Sequence, residues 1–316
     1  MTTRKQSNIA LALVLSGLAA MAALAGCSAT NTATHEGQVT FATPEKAVAA
    51  LGAFAGTGDI KRAEEIFGAS GVELLRSGDD VADRQGALHA KELIQEKVAF
   101  EEKDKKTTVA LFGNEAWPFP IPLVKERGGW RFDTEAGREE IENRRIGRNE
   151  LSVLATLHAV VDAQREYFAG RHDGRSRTYA QRVISTKGKQ DGLYWPTPEG
   201  KPASPLGPFV AEATAEGYSS GNTEPKPYHG YYYRILTAQG ANAPGGAKSY
   251  LDARGAMTNG FAMIAWPAKY GNSGVMTFVV DQRGLVYQKD LGDETASAAA
   301  AITAFDPDES WTPTGD

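Results

Sequence analysis

Hydrophobic residues return every three or four positions in the first part of the chain, and this spacing predicts helices. Three such segments are separated by glycine-containing or polar turns, and they span residues 44–56, 60–68 and 87–100. The first begins after the capping residue Thr43 and the second after Asp59. Shorter runs rich in Val, Phe, Trp and Ile then predict strands at 107–112, 117–124 and 130–132. Pro118, Pro120 and Pro122 remove the backbone donors from one side of the second run, so we expect an edge strand there. Residues 41–148 are therefore predicted to form an α+β domain, with helices followed by a small curved antiparallel sheet.

The second part of the chain, residues 149–316, is predicted to form a second α+β domain. A charged helix begins at Asp133 or Thr134 and is interrupted at Gly147, and Asn149 then caps a longer helix over 150–168. The apolar face of this longer helix is wide enough to pack on a sheet. Four predicted strands follow, at 228–238, 260–266, 275–280 and 285–289, and the second is apolar throughout, so we expect it at the centre. Further helical segments are predicted at 179–184, 204–217 and 296–305. The predicted architecture is a helix plus a four-stranded antiparallel meander.

The first 27 residues have the pattern of an export signal. Arg4 and Lys5 precede an apolar run that is short for a membrane span and ends in Leu-Ala-Gly-Cys at residues 24–27. This ending resembles the bacterial lipobox, so Cys27, the only cysteine, is the predicted lipidation site. Residues 1–26 are then a signal peptide, and the small polar residues within 27–40 make a flexible tether. The alternatives are a free or buried Cys27 behind an ordinary signal, and an uncleaved anchor.

Charge and the residue after Cys27 limit the expected partners and location. The 316-residue chain has a formal net charge of −5, and loss of Arg4 and Lys5 with the signal peptide makes it −7 (−5 − 2). Nucleic-acid binding is not expected, because phosphate recognition needs clustered Lys and Arg. We expect the membrane as a partner, through the lipid on Cys27, together with an envelope protein or glycan, and no cofactor. Ser28 stands where an inner-membrane retention signal would have Asp, which favours the periplasmic face of the outer membrane.

The sequence offers few candidates for catalysis. It contains no nucleophile elbow, phosphate loop, dinucleotide fingerprint or zinc-protease helix. His229 begins a tyrosine-rich strand and could approach Asp191, and a histidine held by a carboxylate can act as a general base. The alternative for His229 is a hydrogen-bonded structural histidine. No metal site is predicted, since Asp79, Asp80 and Asp83 lack the spacing of an oxygen-ligand loop and are expected in a solvated turn and helix start.

Aromatic residues concentrate around the first strand of the predicted meander. Their rings could present stacking faces to a sugar or a peptide, although strand alternation turns about half of them inward. The binding candidates in this region are Tyr194, Trp195, Tyr228, His229, Tyr232 and Arg234.

A cluster of charged residues, with Arg144, Arg145, Arg148, Glu150 and Arg165 at its centre, marks the junction between the two predicted domains. It is compatible with an anion site or with an interdomain network of salt bridges. Interleaved glutamates would neutralise the arginines locally, and this favours the network.

Several segments resemble those of a known family. They include WPFPIPLV at 117–124, RRIGRNEL at 144–151 and the segments at 191–196, 204–208, 228–240 and 273–278. Through them the mature chain resembles a bacterial envelope family described only as a domain of unknown function (number 2950), which implies no activity and no catalytic residues.

The order of the predicted elements also resembles known folds. The second domain is similar to the globular head of type IV pilins and pseudopilins, although it lacks a pilin N-terminus. The first domain is similar to the cone-shaped nuclear-transport-factor-like fold, and a cystatin-like arrangement fits as well. Two hypotheses for the function follow. The first is a lipid-anchored, non-enzymatic binding or scaffold module, and the second is a cell-wall or polysaccharide hydrolase that uses His229 with Asp191.

Overall fold

The computed structural model describes residues 37–198, 200–218 and 226–315. Cys27, the predicted signal peptide and most of the predicted tether lie outside these ranges. In the part of the chain that is described, no helix is long and apolar enough to cross a membrane.

The described residues form an α+β fold, as the sequence predicts. The helices are α1 (Pro44–Phe54), α2 (Ile60–Phe67), α3 (Ala69–Leu75), α4 (Asp80–Glu96), α5 (Thr134–Ala169), α6 (Gly207–Ala215) and α7 (Thr295–Ala301). The strands of the first half are β1 (Val98–Glu102), β2 (Thr107–Phe112), β3 (Trp117–Pro118), β4 (Leu123–Glu126) and β5 (Gly129–Phe132). The later strands are β6 (Arg171–His172), β7 (Arg175–Ser176), β8 (Tyr231–Leu236), β9 (Ala238–Gln239), β10 (Lys248–Ser249), β11 (Ala262–Pro267), β12 (Met276–Asp281), β13 (Val286–Asp290) and β14 (Thr312–Pro313).

The first two helices begin at the capping residues that the sequence indicates. The Thr43 hydroxyl accepts a hydrogen bond from Lys46 N at 3.4 Å at the start of α1. The Asp59 carboxylate accepts one from Arg62 N at 3.1 Å at the start of α2. Gly68 ends α2 at φ +76°, a left-handed conformation that glycine adopts without steric cost. Local capping chemistry therefore sets these boundaries.

The first sheet has the strand order β1-β2-β4-β5, and β3 pairs with β2 beside this path. The single edge strand predicted over 117–124 is wrong, because the prolines break the segment into β3 and β4. β4 is an inner strand that pairs with β2 on one side and β5 on the other. The strand predicted at 130–132 is confirmed as β5, and it forms a hairpin with β4 in which Leu123 lies opposite Phe132.

The helix predicted over 87–100 is displaced in the structure. It begins at Asp80, because the Asp79 carboxylate accepts hydrogen bonds from Val81 N and Ala82 N and caps the first turn. It ends at Glu96, and Phe100 lies in β1, a strand that the helical spacing conceals. The short helix α3 is also absent from the sequence prediction.

The two helices predicted on either side of Gly147 are one continuous helix, α5. A glycine inside a helix lowers stability without breaking the helix, and Gly147 is exposed, with open space where a Cβ would lie. The 36 residues of α5 span about 54 Å. The helix contributes Ile141 to one hydrophobic core and Leu157 to a second. It therefore joins the two halves of the structure, whose predicted division into domains 41–148 and 149–316 stays a prediction.

Gly147→Ala is expected to raise the free energy of unfolding by about 0.5–1 kcal/mol, because alanine loses less backbone entropy in a helix. Urea unfolding followed by circular dichroism measures this change. Gly137→Ala is the comparison variant, and it should lower the free energy of unfolding, since its Cβ would lie 2.8 Å from the Pro120 carbonyl oxygen. A destabilised Gly147→Ala protein would show that α5 is not a regular helix at this position.

The second sheet is antiparallel and has the order β14-β13-β12-β11-β8. The predicted four-stranded meander is confirmed in β8, β11, β12 and β13, and β14 adds a fifth strand. β11 is an inner strand, as its apolar sequence predicts. Tyr231 contacts α5 while Arg234 contacts the end of α7, and alternation along β8 places these two side chains on opposite faces. Helices therefore cover both faces of the sheet, which explains the continuous apolar run in β11.

Residues 179–184 are not helical, so their predicted helical conformation is wrong. Tyr179 forms a bridge with Met257, and Ile184 forms one with Tyr194. The fully buried Gln164 of α5 holds the backbone of Ala180, with Nε2 donating to the carbonyl and Oε1 accepting from the N–H, both at 2.8 Å. This tertiary amide pair satisfies the backbone groups that a helix would have used.

Candidate functional site

Asp191, one of the two candidate catalytic residues, binds a neighbouring loop. Its carboxylate accepts hydrogen bonds from Thr186 N at 2.7 Å and from Thr186 Oγ1 at 2.8 Å, and Arg182 Nε lies 4.0 Å away. Burial acts to raise the pKa of Asp191, but the hydrogen bonds from Thr186 outweigh it and hold the pKa below its ordinary value. The hydrogen bonds from Thr186 therefore stabilise this carboxylate in its charged form.

His229 lies beside different carboxylates. Its Nε2 is 3.4 Å from Glu216 Oε2, and the residue has a left-handed φ of +48° in the turn before β8. Burial lowers the pKa of His229, and the neighbouring carboxylates of Glu216 and Asp79 oppose that shift. Within the described ranges no hydrogen bond or ion pair joins His229 to Asp191, so the structure does not bring the predicted pair together.

Asp79 is the centre of the polar cluster that contains His229. It is 2 % exposed, which contrasts with the solvated turn expected from the sequence. Its Oδ2 accepts hydrogen bonds from the Tyr218 hydroxyl at 2.8 Å and from Gly230 N at 2.9 Å, while Oδ1 caps α4. Burial, with the adjacent Asp79 charge, raises the pKa of Tyr218 and keeps its hydroxyl protonated as a donor. The cluster fastens the turn before β8 to the start of α4.

The six aromatic and polar binding candidates occupy three places rather than one face. Tyr194 and Trp195 are half-buried against the larger core, and the Trp195 ring lies 5.2 Å from the His172 ring. Tyr228 packs against His229 and Tyr218, with ring centroids 4.2 and 4.7 Å away.

Tyr232 and Arg234 occupy the third place, on the α7 side of the second sheet. The Arg234 guanidinium donates to Ala299 O at 2.6 Å and Ile302 O at 2.7 Å, and it lies 5.5 Å above the Trp266 ring. The Tyr232 ring is 5.8 Å from the same Trp266 ring. These contacts hold the end of α7 on the sheet. A role of these side chains in ligand binding stays a prediction.

The charged junction is built mainly from contacts other than the predicted interdomain ion pairs. Arg145 is 6 % exposed and donates to Leu74 O at 2.6 Å and to Asn272 Oδ1 at 2.9 Å. Asn149 Nδ2 donates to Ser273 O at 2.8 Å. Buried side chains of α5 thus hold the loop before β12 by hydrogen bonds to its polar groups.

Glu150 completes this attachment. Its Oε1 accepts hydrogen bonds from Val275 N and Met276 N, both at 3.0 Å, and lies 3.4 Å from the Tyr231 hydroxyl. Gly274 has to be glycine here, because a Cβ would overlap the Tyr231 ring. The segments 144–151 and 273–278, which carry the family resemblance, therefore meet in the structure.

The other charged residues of the junction divide into exposed pairs and one residue without such a partner. Arg144 pairs with Glu140 at 2.6 Å, and Arg165 pairs with Asp162 at 3.0 Å. The exposed guanidinium of Arg148 has no hydrogen-bond or ion-pair partner among the described residues. The alternative that this cluster binds an anion therefore stays a prediction, with Arg148 as its candidate residue.

One concave surface of the described residues, called here the α2–α5 cleft, is lined mainly by α2, α3, α4 and α5, with further residues from α1 and β3, and has a volume of about 810 Å³. This volume falls within the range of small-molecule sites, about 300–1,000 Å³. Its lining is predominantly apolar and includes Phe54, Phe67, Phe119 and Ile141. None of the six predicted binding candidates lines it.

Two side chains of this cleft are large, apolar and exposed. Ile60 is 47 % exposed and Trp117 is 39 % exposed, whereas most large apolar side chains of the described residues are buried or half-buried. Sequence reasoning placed Ile60 in an amphipathic helix and Trp117 in a strand, but it did not predict that they would line one cleft. The one available signal was the arginine cluster, whose members Arg144, Arg145 and Arg148 line the same cleft.

The described residues contain no group of three His, Asp or Glu side chains that could hold a metal ion. A family model described as "Protein of unknown function (DUF2950)" matches residues 38–314. No curated protein and no solved structure matches the chain. The similarity of the second half to pilin heads therefore stays a prediction from the order of its elements.

Proposed function

The chain belongs to the DUF2950 family, whose description assigns no activity, and we propose that it is a non-enzymatic binding module of the bacterial envelope that holds an apolar ligand in the α2–α5 cleft. The proposed anchor is the lipid on Cys27, and the proposed location is the periplasmic face of the outer membrane. The anchor is supported by the charged start, apolar run and Leu-Ala-Gly-Cys ending of residues 1–27.

The observation that carries this proposal is the combination of volume, lining and exposed apolar side chains in the cleft. Exposed apolar surface is unfavourable in water unless a ligand or partner covers it. Ile60 and Trp117 lie at a cleft of about 810 Å³, so one ligand can cover both side chains and fill the apolar space behind them. Capture by apolar contacts needs no reacting group.

The hydrolase alternative receives less support. It requires His229 and Asp191 to share a proton, whereas the Asp191 carboxylate is bound to Thr186 and His229 lies beside Glu216. The φ of +48° at His229 is accounted for by the tight turn that places Gly230 N on Asp79.

Gly86→Trp is expected to reduce the affinity for an uncharged apolar dye by about tenfold or more, because the new ring occupies part of the cleft. Gly86 lines the cleft from α4, and open space surrounds the position of a Cβ there. The measurement is fluorescence titration of Nile red with the full chain carrying Cys27→Ser, which cannot be lipidated, in buffer without detergent.

Gly147→Trp is the matched control, since Gly147 is also an exposed helical glycine with open space around it but does not line the cleft. It should bind the dye like the parent protein. Failure of the parent protein to bind any uncharged apolar probe would contradict the proposed function, as would equal loss of binding in both variants.

A further inference from the structure

The charged residues that line the α2–α5 cleft are mostly cationic. Its lining contains more arginines than carboxylates, although the whole chain has a formal net charge of −5. The arginines are Arg76, Arg84, Arg144, Arg145 and Arg148, and the carboxylates are Asp59, Asp80 and Asp83.

Two of the three carboxylates are already bound within the protein. Asp59 caps α2 through Arg62 N at 3.1 Å. Asp83 accepts a hydrogen bond from Ser77 N at 2.9 Å. Burial raises the pKa of Asp83, although the hydrogen bonds from Ser77 and the charge of Arg145 oppose the rise. These two carboxylates are therefore already engaged by backbone donors of the protein.

The five arginines of the cleft fall into two groups, those bound by protein acceptors and those without a partner among the described residues. Arg145 and Arg144 are engaged by protein acceptors, the first by Leu74 O and Asn272 Oδ1 and the second by Glu140 and Pro118 O. The guanidiniums of Arg76, Arg84 and Arg148 are exposed and have no hydrogen-bond or ion-pair partner in the part of the chain that the structure describes. Three guanidiniums are thus available to a ligand at this cleft.

The sequence of α5 arranges apolar and cationic groups along one face of the cleft. Ile141, Arg144, Arg145 and Arg148 all line it, at positions i, i+3, i+4 and i+7 of the helix. Ile141 and Arg148 are therefore about 10 Å apart along the helix axis, at 1.5 Å per residue. The cleft is apolar near Ile141 and cationic near Arg148.

Resting on the proposed function, we propose that the ligand is an anionic amphiphile, a hydrocarbon chain that ends in a carboxylate or phosphate group. The chain covers Ile60 and Trp117 and packs into the apolar part of the cleft, while the anionic head contacts the exposed guanidiniums of Arg148, Arg76 and Arg84, which line the same cleft. Guanidinium groups bind carboxylate and phosphate through paired charge-assisted hydrogen bonds.

The test compares three single-chain compounds that share the same hydrocarbon chain. Dodecanoate, dodecanol and dodecyltrimethylammonium, each below the concentration at which it forms micelles, displace Nile red from the full chain carrying Cys27→Ser. We expect dodecanoate to bind about tenfold more tightly than dodecanol, with dodecyltrimethylammonium weakest, and the preference for dodecanoate to decrease with added salt. Inorganic phosphate alone serves as the probe for an anion site that needs no chain, and it should not displace the dye.

The variant Arg76→Gln/Arg84→Gln/Arg148→Gln should abolish the preference for dodecanoate while leaving dodecanol binding unchanged. Arg254→Gln, at an exposed arginine outside the cleft, is the control and should retain the preference. Unchanged thermal unfolding confirms that the triple variant folds, as expected for three exposed side chains. Equal binding of dodecanoate and dodecanol to the parent protein overturns the anionic ligand and leaves the apolar cleft intact. Displacement of bound Nile red by none of the three compounds also overturns the anionic amphiphile, whereas the proposed function itself is overturned only if the parent protein does not bind Nile red.

Discussion

Asp79→Ala is expected to lower the free energy of unfolding by about 3–5 kcal/mol, the largest effect that we predict for a polar side chain of this protein. The substitution removes the cap of α4, which is worth about 1 kcal/mol. It also leaves the Tyr218 hydroxyl and Gly230 N without their acceptor in a site where Asp79 is 2 % exposed. A buried donor that loses its partner costs about 1–3 kcal/mol.

Urea unfolding of the parent protein and of two variants measures this effect. Asp80→Ala is the control, because Asp80 is the exposed neighbour and has no hydrogen-bond partner among the described residues. It should change the free energy of unfolding by less than about 0.5 kcal/mol. Similar losses in the two variants would show that Asp79 does not hold the turn before β8 onto α4.

Glu150→Ala is expected to lower the free energy of unfolding by about 2–3 kcal/mol. A single carboxylate oxygen accepts from two consecutive backbone N–H groups, Val275 and Met276, and it also lies near the Tyr231 hydroxyl. Hydrogen bonds to charged groups contribute about 1.5–3 kcal/mol each, and partial exposure of this site reduces that value. The loop before β12 should also become more open to solvent.

Two measurements check the Glu150 prediction. Urea unfolding gives the change in stability, and amide hydrogen exchange at Val275 and Met276 reports the local opening. Glu139→Ala is the matched control, because Glu139 is an exposed glutamate of the same helix with no polar partner in the described ranges. Unchanged exchange at Val275 and Met276 in Glu150→Ala would contradict the assigned role of this carboxylate.

The elements that the sequence predicts well are those whose signals are local. Thr43 and Asp59 cap α1 and α2 with their own side chains, and the spacing of apolar residues predicts the strands of the meander. The apolar sequence of β11 also predicts its inner position, because a strand covered on both faces has no polar side to present.

The wrong secondary-structure predictions have two causes. A distant residue can satisfy backbone hydrogen bonds, and a residue with low helix propensity can be tolerated inside a helix. Residues 179–184 do not form the predicted helix, because Gln164, on α5, binds the backbone of Ala180. Gly147 does not end a helix, since the neighbouring residues of α5 are held by tertiary contacts that include those of Arg145 and Asn149. Helix propensity is a weak signal against such contacts.

The candidate site was predicted least well, and the reason is geometric. The density of aromatic residues around β8 favoured a binding face there. In the structure, alternation along β8 turns its side chains towards helices on both faces of the sheet, and they form internal contacts. Tyr231 reaches α5, and Arg234 reaches the end of α7. The cleft, by contrast, combines residues such as Ile60, Trp117 and Arg148, which no sequence spacing relates.

The sequence alone determined the fold class, the capping of the first helices, the order of the strands in the meander and the charged junction at Arg144 to Glu150. These features follow from residue types and spacings within a few turns of chain, where the interacting groups are close whatever the rest of the molecule does. Only the tertiary structure decided that Asp79 is buried, that His229 and Asp191 have separate partners, and that an apolar cleft lined by exposed arginines lies between α2 and α5. Those outcomes depend on the packing of segments distant in sequence, and hydrophobic spacing carries no information about which distant surfaces meet.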